Sequence, residues 1–438
     1  MCGGGVFLLA IADVLVDGGM SAADALSCLH GTDLDPGAVA ATVEALALWA
    51  DAHSCAAPPP RVTCGDGFDT LDGPWDIVIG NPPFRGQLRS DTVHDSDERG
   101  VMRQRFGSAA SGYVDVAWLA ALAAVGALTE GGVCVLVQPR SFLVAAHGAQ
   151  VRERIRSVAR LAELWVPEGP VFEAKVQVCA PVLVRASEGD GAAVAWSSRL
   201  ATAEGVPSPA LTVRGPVLGD VGDVVAGFRD QYYGLVEHVT EGGDGSSLVT
   251  SGLIAPGRVD WGKVPARFAK RRWVRPTVDI DAVARSNPSM GQWCARMRRP
   301  KVVVATQTRV VEAATDPDGL LIPVTPVIAV LARDLASPMV AAALTAPAVS
   351  VWMQHRLAGS GMSPGAMRLS APEVAGVPLP VDHAAWTRAA ALLDEGPSSE
   401  EDWARFGTVA DRSHGIDTPI DWWLERVVAA SGRRGEPG

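Results

Sequence analysis

Over the first 185 residues, short runs of consecutive apolar residues alternate with longer stretches in which apolar residues recur every three or four positions. The uniform runs mark strands buried on both faces, and the longer period marks the helices that cover them. Strands are predicted at Asp76-Ile77-Val78-Ile79, at Val133-Cys134-Val135-Leu136-Val137 and from Val176 to Val184. Pro181 lacks a backbone donor, which assigns the last run to a sheet edge or a turn. A helix is predicted from Pro36 to Ala52, with Asp35 as its cap and Pro36 at its first position. Another runs from Asp115 to Leu128 and stops at Glu130-Gly131-Gly132. An apolar helix also follows the glycines at 3, 4 and 5, whereas residues 85 to 112 are polar and aperiodic and read as a long loop. This alternation predicts an α/β domain with a parallel sheet covered by helices on both faces.

From residue 186 the rhythm breaks into short strands punctuated by Gly and Pro, the pattern of a second, α+β domain. Between Arg258 and Arg309 there are thirteen basic and three acidic residues. Within that span Lys263, Arg267, Lys270, Arg271, Arg272 and Arg275 are interleaved with Phe268 and Trp273, a mixture suited to neutralising phosphates and stacking on bases. Residues 396–438 read as a linker, an amphipathic helix around Trp422-Trp423 and a disordered tail, which gives domains at 1–185 and 186–395 and a terminal segment at 396–438.

Composition narrows the class. At roughly 150 residues per domain, 438 residues hold two or three domains. With 48% hydrophobic and 20% charged residues, the chain is neither disordered nor fibrous. A net charge of −11 excludes a uniformly basic nucleic-acid coat but not a local basic face. Seven scattered cysteines without a Cys-x-x-Cys pair indicate neither a disulfide framework nor a metal site, as expected of a cytoplasmic protein. No basic residue precedes the apolar stretch 6–16, and Asp, Glu, Gly or Pro interrupts every run that could span a membrane, so neither a signal peptide nor a membrane role is expected.

The candidate chemistry lies in four segments. Cys2-Gly3-Gly4-Gly5 leads directly into a helix, where glycines let a ligand approach the backbone. Asp33, in Gly31-Thr32-Asp33-Leu34-Asp35-Pro36, is placed to end a strand and accept from ribose hydroxyls. Cys64-Gly65-Asp66-Gly67-Phe68 offers Asp66 to an adenine amino group and Phe68 to the pocket wall. Trp75 to Phe84 delivers Asn81-Pro82-Pro83-Phe84 to the end of a buried strand, where the side-chain oxygen of Asn81 and the carbonyl of Pro82 converge as fixed acceptors. Two acceptors on an exocyclic amine favour a tetrahedral nitrogen with an available lone pair, and Phe84 gives the ring a flat face.

In this order the segments resemble the gamma-class, TaqI-type S-adenosylmethionine-dependent DNA adenine methyltransferases. The resemblance extends through Gly112-Tyr113-Val114-Asp115, Pro139-Arg140-Ser141-Phe142-Leu143 and Pro170-Val171-Phe172-Glu173 and covers residues 1–185. It implies a Rossmann-like methyltransferase sheet followed by a target-recognition domain. Gly3 and Gly5 are then placed at the methionine part of S-adenosylmethionine, Asp33 at its ribose and Asp66 at its adenine. Asn81 and Pro82 hold the target amine, and Phe84 and Phe172 stack on an extruded base. Transfer is direct, without a covalent enzyme intermediate or a metal, and no catalytic cysteine is required. The implied partners are duplex DNA, held by the basic patch from Lys263 to Arg275, and a cognate restriction endonuclease beside a monomeric enzyme. The family's glycine turn follows a strand ending in Asp-Pro or Glu-Pro, so the central first strand is expected to be absent from this sheet. RNA amino groups, a protein glutamine amide and cytosine N4 remain alternative acceptors, and a non-catalytic DNA-binding remnant is the alternative outside enzymes.

Overall fold

The structure, a computed structural model, describes residues 1–56, 61–71, 73–84, 96–173, 176–186, 195–227, 229–417 and 419–432. The chain divides into two units, Met1–Trp196 and Ser197–Gly438.

In the first unit, α1 (Val6–Asp17) follows Gly5, whose φ of 83° only glycine adopts readily; a side chain there would also press on Thr42. After α2 (Ala22–Cys28) come β1 (His30–Asp33) and α3 (Pro36–Ala52), the latter with the expected bounds and with Asp35 capping Gly37 N–H at 2.9 Å. β1 pairs in parallel with β2 (Arg61–Cys64). Gly31 has no side chain because Leu8 of α1 and Cys2 pack onto it. The apolar core here is small, built from Leu8, Ala12, Leu26, Leu29, Leu46 and Ala50.

A second sheet contains β3 (Trp75–Gly80) and, after α4 (Ser96–Phe106) and α5 (Val116–Gly126), β4 (Leu128–Leu136), β5 (Gln138–Pro139), α6 (Ala149–Arg156), β6 (Ala159–Trp165) and β7 (Val178–Arg185). β3 and β4 are parallel, and β7 lies antiparallel to β4, β5 and β6. Glu130 to Gly132, expected as the stop of a helix running to Leu128, lie inside β4 instead, and α5 ends at Gly126. Gly131, at φ 78°, absorbs the irregularity where the β3–β4 register shifts. Pro181 lies in a central strand rather than at an edge. It is tolerated because β7 changes partner there, from β4 at Val182 to β5 at Cys179, so that side of the ladder needs no donor. Among the described residues no strand joins the β1–β2 pair to β3. The two sheets approach through the rings of His30 and Trp75, 4.7 Å apart.

The second unit contains two four-stranded sheets. In one, Lys301–Val304 lies between Ala313–Asp316 and Ile328–Ala332, with Gly222–Ala226 beyond. In the other, Ser246–Val249 lies between Leu321–Pro323 and Pro276–Val278. The segment expected as linker and terminal helix is part of this unit's core. Ser399 caps the helix Glu400–Ser413, and Trp403, Phe406, Trp423 and Val427 are buried in the main apolar cluster. Amphipathicity thus extends the fold past residue 396, and the tail from 433 lies outside the described residues. No helix among the described residues is long and apolar enough to cross a membrane.

Candidate functional site

Three of the expected polar residues stand at the carboxyl ends of parallel strands. Asp33 is the last residue of β1, Asp66 follows β2 by two positions and Asn81 directly follows β3. This is where open α/β sheets place ligands, since the side chains of the turns emerge there.

The glycine turn and Asp33 form one bonded unit. Gly3 N–H donates to Asp33 Oδ2 at 2.9 Å, Asp35 N–H donates to Asp33 Oδ1 at 3.1 Å, and the Met1 ammonium lies 3.7 Å from the same carboxylate. Partial burial raises the Asp33 carboxyl, but the backbone donors and the ammonium outweigh it and leave the group below its ordinary range. A Cβ on Gly3 or Gly4 would meet nothing within 4 Å, so the face of the turn is open. Thr42, fully buried on α3, donates its hydroxyl to Gly3 O at 2.6 Å. Sequence reading missed this brace; its signal was one hydroxyl on the α3 stripe that includes Leu46 and Ala50.

Asp66 Oδ1 accepts Phe68 N–H at 2.9 Å, which closes the turn after β2 and leaves Oδ2 available. Phe68 departs from expectation. Its ring is 3% exposed, packed on Phe106 at 5.6 Å with the Arg105 guanidinium over it, so it supports the turn from beneath instead of presenting an open wall.

The Asn-Pro-Pro-Phe segment follows a strand as predicted, but that strand is not the buried one expected: Asp76 and Ile77 of β3 are exposed, and only Gly80, its last residue, is buried. The ladder continues past β3 through Val137 N–H to Gly80 O at 3.0 Å, then Asn81 is exposed and Pro82 buried. Among the described residues the Asn81 amide has no hydrogen-bond partner. The rings of Phe84 and Phe172, drawn from segments 88 residues apart, lie 6.5 Å apart and nearly perpendicular. The two rings therefore meet edge to face and do not form the pair of parallel faces expected to enclose a base, which leaves one aromatic face at a time beside the unspent polar capacity of Asn81.

The basic segment forms a hairpin of Ala266–Phe268 and Arg271–Trp273. Lys263, Arg267, Lys270, Arg271, Arg272 and Arg275 are all exposed. Trp273 is not available for stacking on a ligand: it is 8% exposed within an apolar cluster, and its indole N–H donates to Phe268 O at 3.0 Å. The alternation of the strand turns its ring inward and puts Arg272, with Arg267 across from it, on the outer face, whereas Arg271 shares the face of Trp273 and lies over its ring.

No family model and no curated protein matches the chain. Among solved structures, the type IIL restriction-modification enzyme MmeI in complex with DNA is similar over 98% of this chain and 71% of its own, with a TM-score of 0.57 and 10% identity. A putative class I S-adenosylmethionine-dependent methyltransferase from Listeria monocytogenes matches 42% of this chain and 51% of its own, with a TM-score of 0.32 and 16% identity. A modification subunit of a putative type I restriction enzyme from Vibrio vulnificus matches 43% and 39%, with a TM-score of 0.33 and 17% identity. The first likeness is one of fold alone.

Proposed function

We propose that this chain is an S-adenosylmethionine-dependent DNA methyltransferase of the gamma class, acting on the N6 amino group of adenine within a specific duplex sequence, in restriction-modification or a related defence system. The observation that carries the reading is the end of β3, where an exposed Asn81 amide, without a hydrogen-bond partner among the described residues, precedes a buried Pro82 and the Phe84 ring, itself against Phe172. The cofactor fits the neighbouring turns, because the face of Gly3 and Gly4 is open and Asp33 and Asp66 keep acceptor capacity at the ends of β1 and β2. The likeness in fold to an enzyme solved on DNA agrees with a nucleic-acid substrate.

When bound, S-adenosylmethionine would supply a sulfonium methyl group; as the N–C bond forms the S–C bond breaks, the thioether leaves, and the nitrogen gives up one proton to solvent. Asn81 Oδ1 and the Pro82 carbonyl accept the two amine hydrogens, hold the nitrogen in place and turn its lone pair away from the ring. Phe84 and Phe172 hold the base out of its stack and keep water from the nitrogen.

The test is transfer of labelled methyl to duplex DNA, followed by nucleoside analysis. N6-methyladenine is the expected product, and Asn81→Ala is expected to lower the rate about 100- to 1000-fold with cofactor affinity unchanged. Transfer by Asn81→Ala close to the wild-type rate, or methyl found only in N4-methylcytosine, RNA or protein, overturns the reading.

A further inference from the structure

The hairpin from Ala266 to Trp273 carries more information than its charge. Its register places Arg267 directly opposite Arg272, so both side chains lie on one face, whereas Ala266 opposite Trp273 faces the core. Like charges directly opposite each other destabilise an antiparallel pair. The two-residue turn is Ala269-Lys270, with φ of 50° and 61°, a left-handed conformation that residues other than glycine hold only at a cost. Both unfavourable features are fixed by packing. Phe268 is 1% exposed with the Tyr232 ring 4.7 Å away, Ala269 N–H donates to the Tyr232 hydroxyl at 2.8 Å, and Trp273 closes the base of the hairpin. Arg271 lies over Trp273 at 4.9 Å and Arg275 over Trp261 at 5.0 Å, so the flanking cations are also held in place. From Trp261 to Val278 the sequence contains no acidic residue. A braced, strained ribbon with paired arginines on its outer face is preorganised for a polyanion, and a two-stranded ribbon matches the width of the major groove of duplex DNA.

Building on the DNA-methyltransferase reading, we propose that this hairpin is the sequence-reading ribbon of the second unit. It enters the major groove with Arg267 and Arg272 against base edges and places Lys270, at its tip, on the phosphate backbone.

The test uses the full chain and measures fluorescence anisotropy with two labelled duplexes: one containing the site that the wild type methylates, and a scrambled one of equal length. Arg267→Gln/Arg272→Gln is expected to weaken binding about 100-fold on the methylated site and only a few-fold on the scrambled duplex. Lys270→Gln is expected to weaken both equally and to lower the slope of affinity against salt by about one ion. Arg267→Lys/Arg272→Lys keeps the charge but not the guanidinium fork, so it restores the salt slope and not the discrimination. Arg388→Gln, an exposed cation elsewhere on this unit, controls for charge, and circular dichroism checks folding. Dimethyl sulfate protection of guanine N7 is expected with the wild type and absent with the double Gln variant. Wild-type binding that the double Gln variant retains, an equal loss on both duplexes, or no N7 protection overturns the ribbon and leaves the methyltransferase standing. A wild-type chain that neither binds nor methylates duplex DNA overturns both.

Discussion

In the first unit, β4 and β7 lie under α5, nine of whose eleven residues are buried. By contrast β1 and β2 share a ladder of four pairs in which Arg61, Thr63 and Cys64 are exposed. The two regions carry different parts of the proposed site. The β3–β4–β7 sheet presents Asn81, and the thinner pair presents Asp33 and Asp66. Groups that fix a reacting atom need a stiff support, whereas groups that receive a ligand can stand on a region that the ligand itself consolidates.

Thiol chemistry provides the sharpest contrast between the two. Burial pushes both Cys134 on β4 and Cys179 on β7 up to about 12, whereas Cys64 on β2 is exposed. Since the thiolate is the nucleophile, iodoacetamide at pH 8 is expected to alkylate Cys64 at least about a thousand-fold faster than either buried thiol, as read by mass spectrometry of peptides. Comparable rates would show that the two regions open together.

Packing provides the next. Phe142, fully buried against Trp118 and Trp196, is expected to cost about 4 kcal/mol on substitution by Ala, and Leu46 of the thinner region about 2 to 3 kcal/mol, measured by denaturant unfolding. Equal costs would remove the distinction.

The smallest effect concerns Asp33. Its carboxyl is held below its ordinary range, so its contribution is complete above the unfolded value and is lost as pH falls through the folded one. Asp33→Ala is expected to cost about 1 kcal/mol at neutral pH, to flatten the acid limb of stability against pH and to weaken cofactor binding about ten-fold.

The parts of the site with local physical signatures were legible in the sequence. Asp35-Pro36 marked a helix start, and the Trp75–Gly80 run ending in two prolines marked a strand delivering Asn81 to a turn. Features set by long-range partners were not. Pro181 is central only because β4 and β5 succeed each other along β7, and Gly131 is a strand irregularity only because Trp75 and Ile77 lie across from it. The orientation of Trp273 depends on a register that fixes which of two faces meets the core. Phe68 required the approach of Arg105 and Phe106 from 37 residues away or more. The amphipathic pattern beyond residue 396 was visible, but the buried surface that receives Trp403 and Phe406 was not.

One carboxylate fastens the glycine turn: Asp33 ties down Gly3, while Thr42 holds the turn from the other side. Any molecule seated over that turn therefore shares its anchor with the fold. Selection acting on affinity at this position also acts on whether the glycine turn stays in place, so the two properties drift together, and redesign of one must begin by supplying the other with a new fastening.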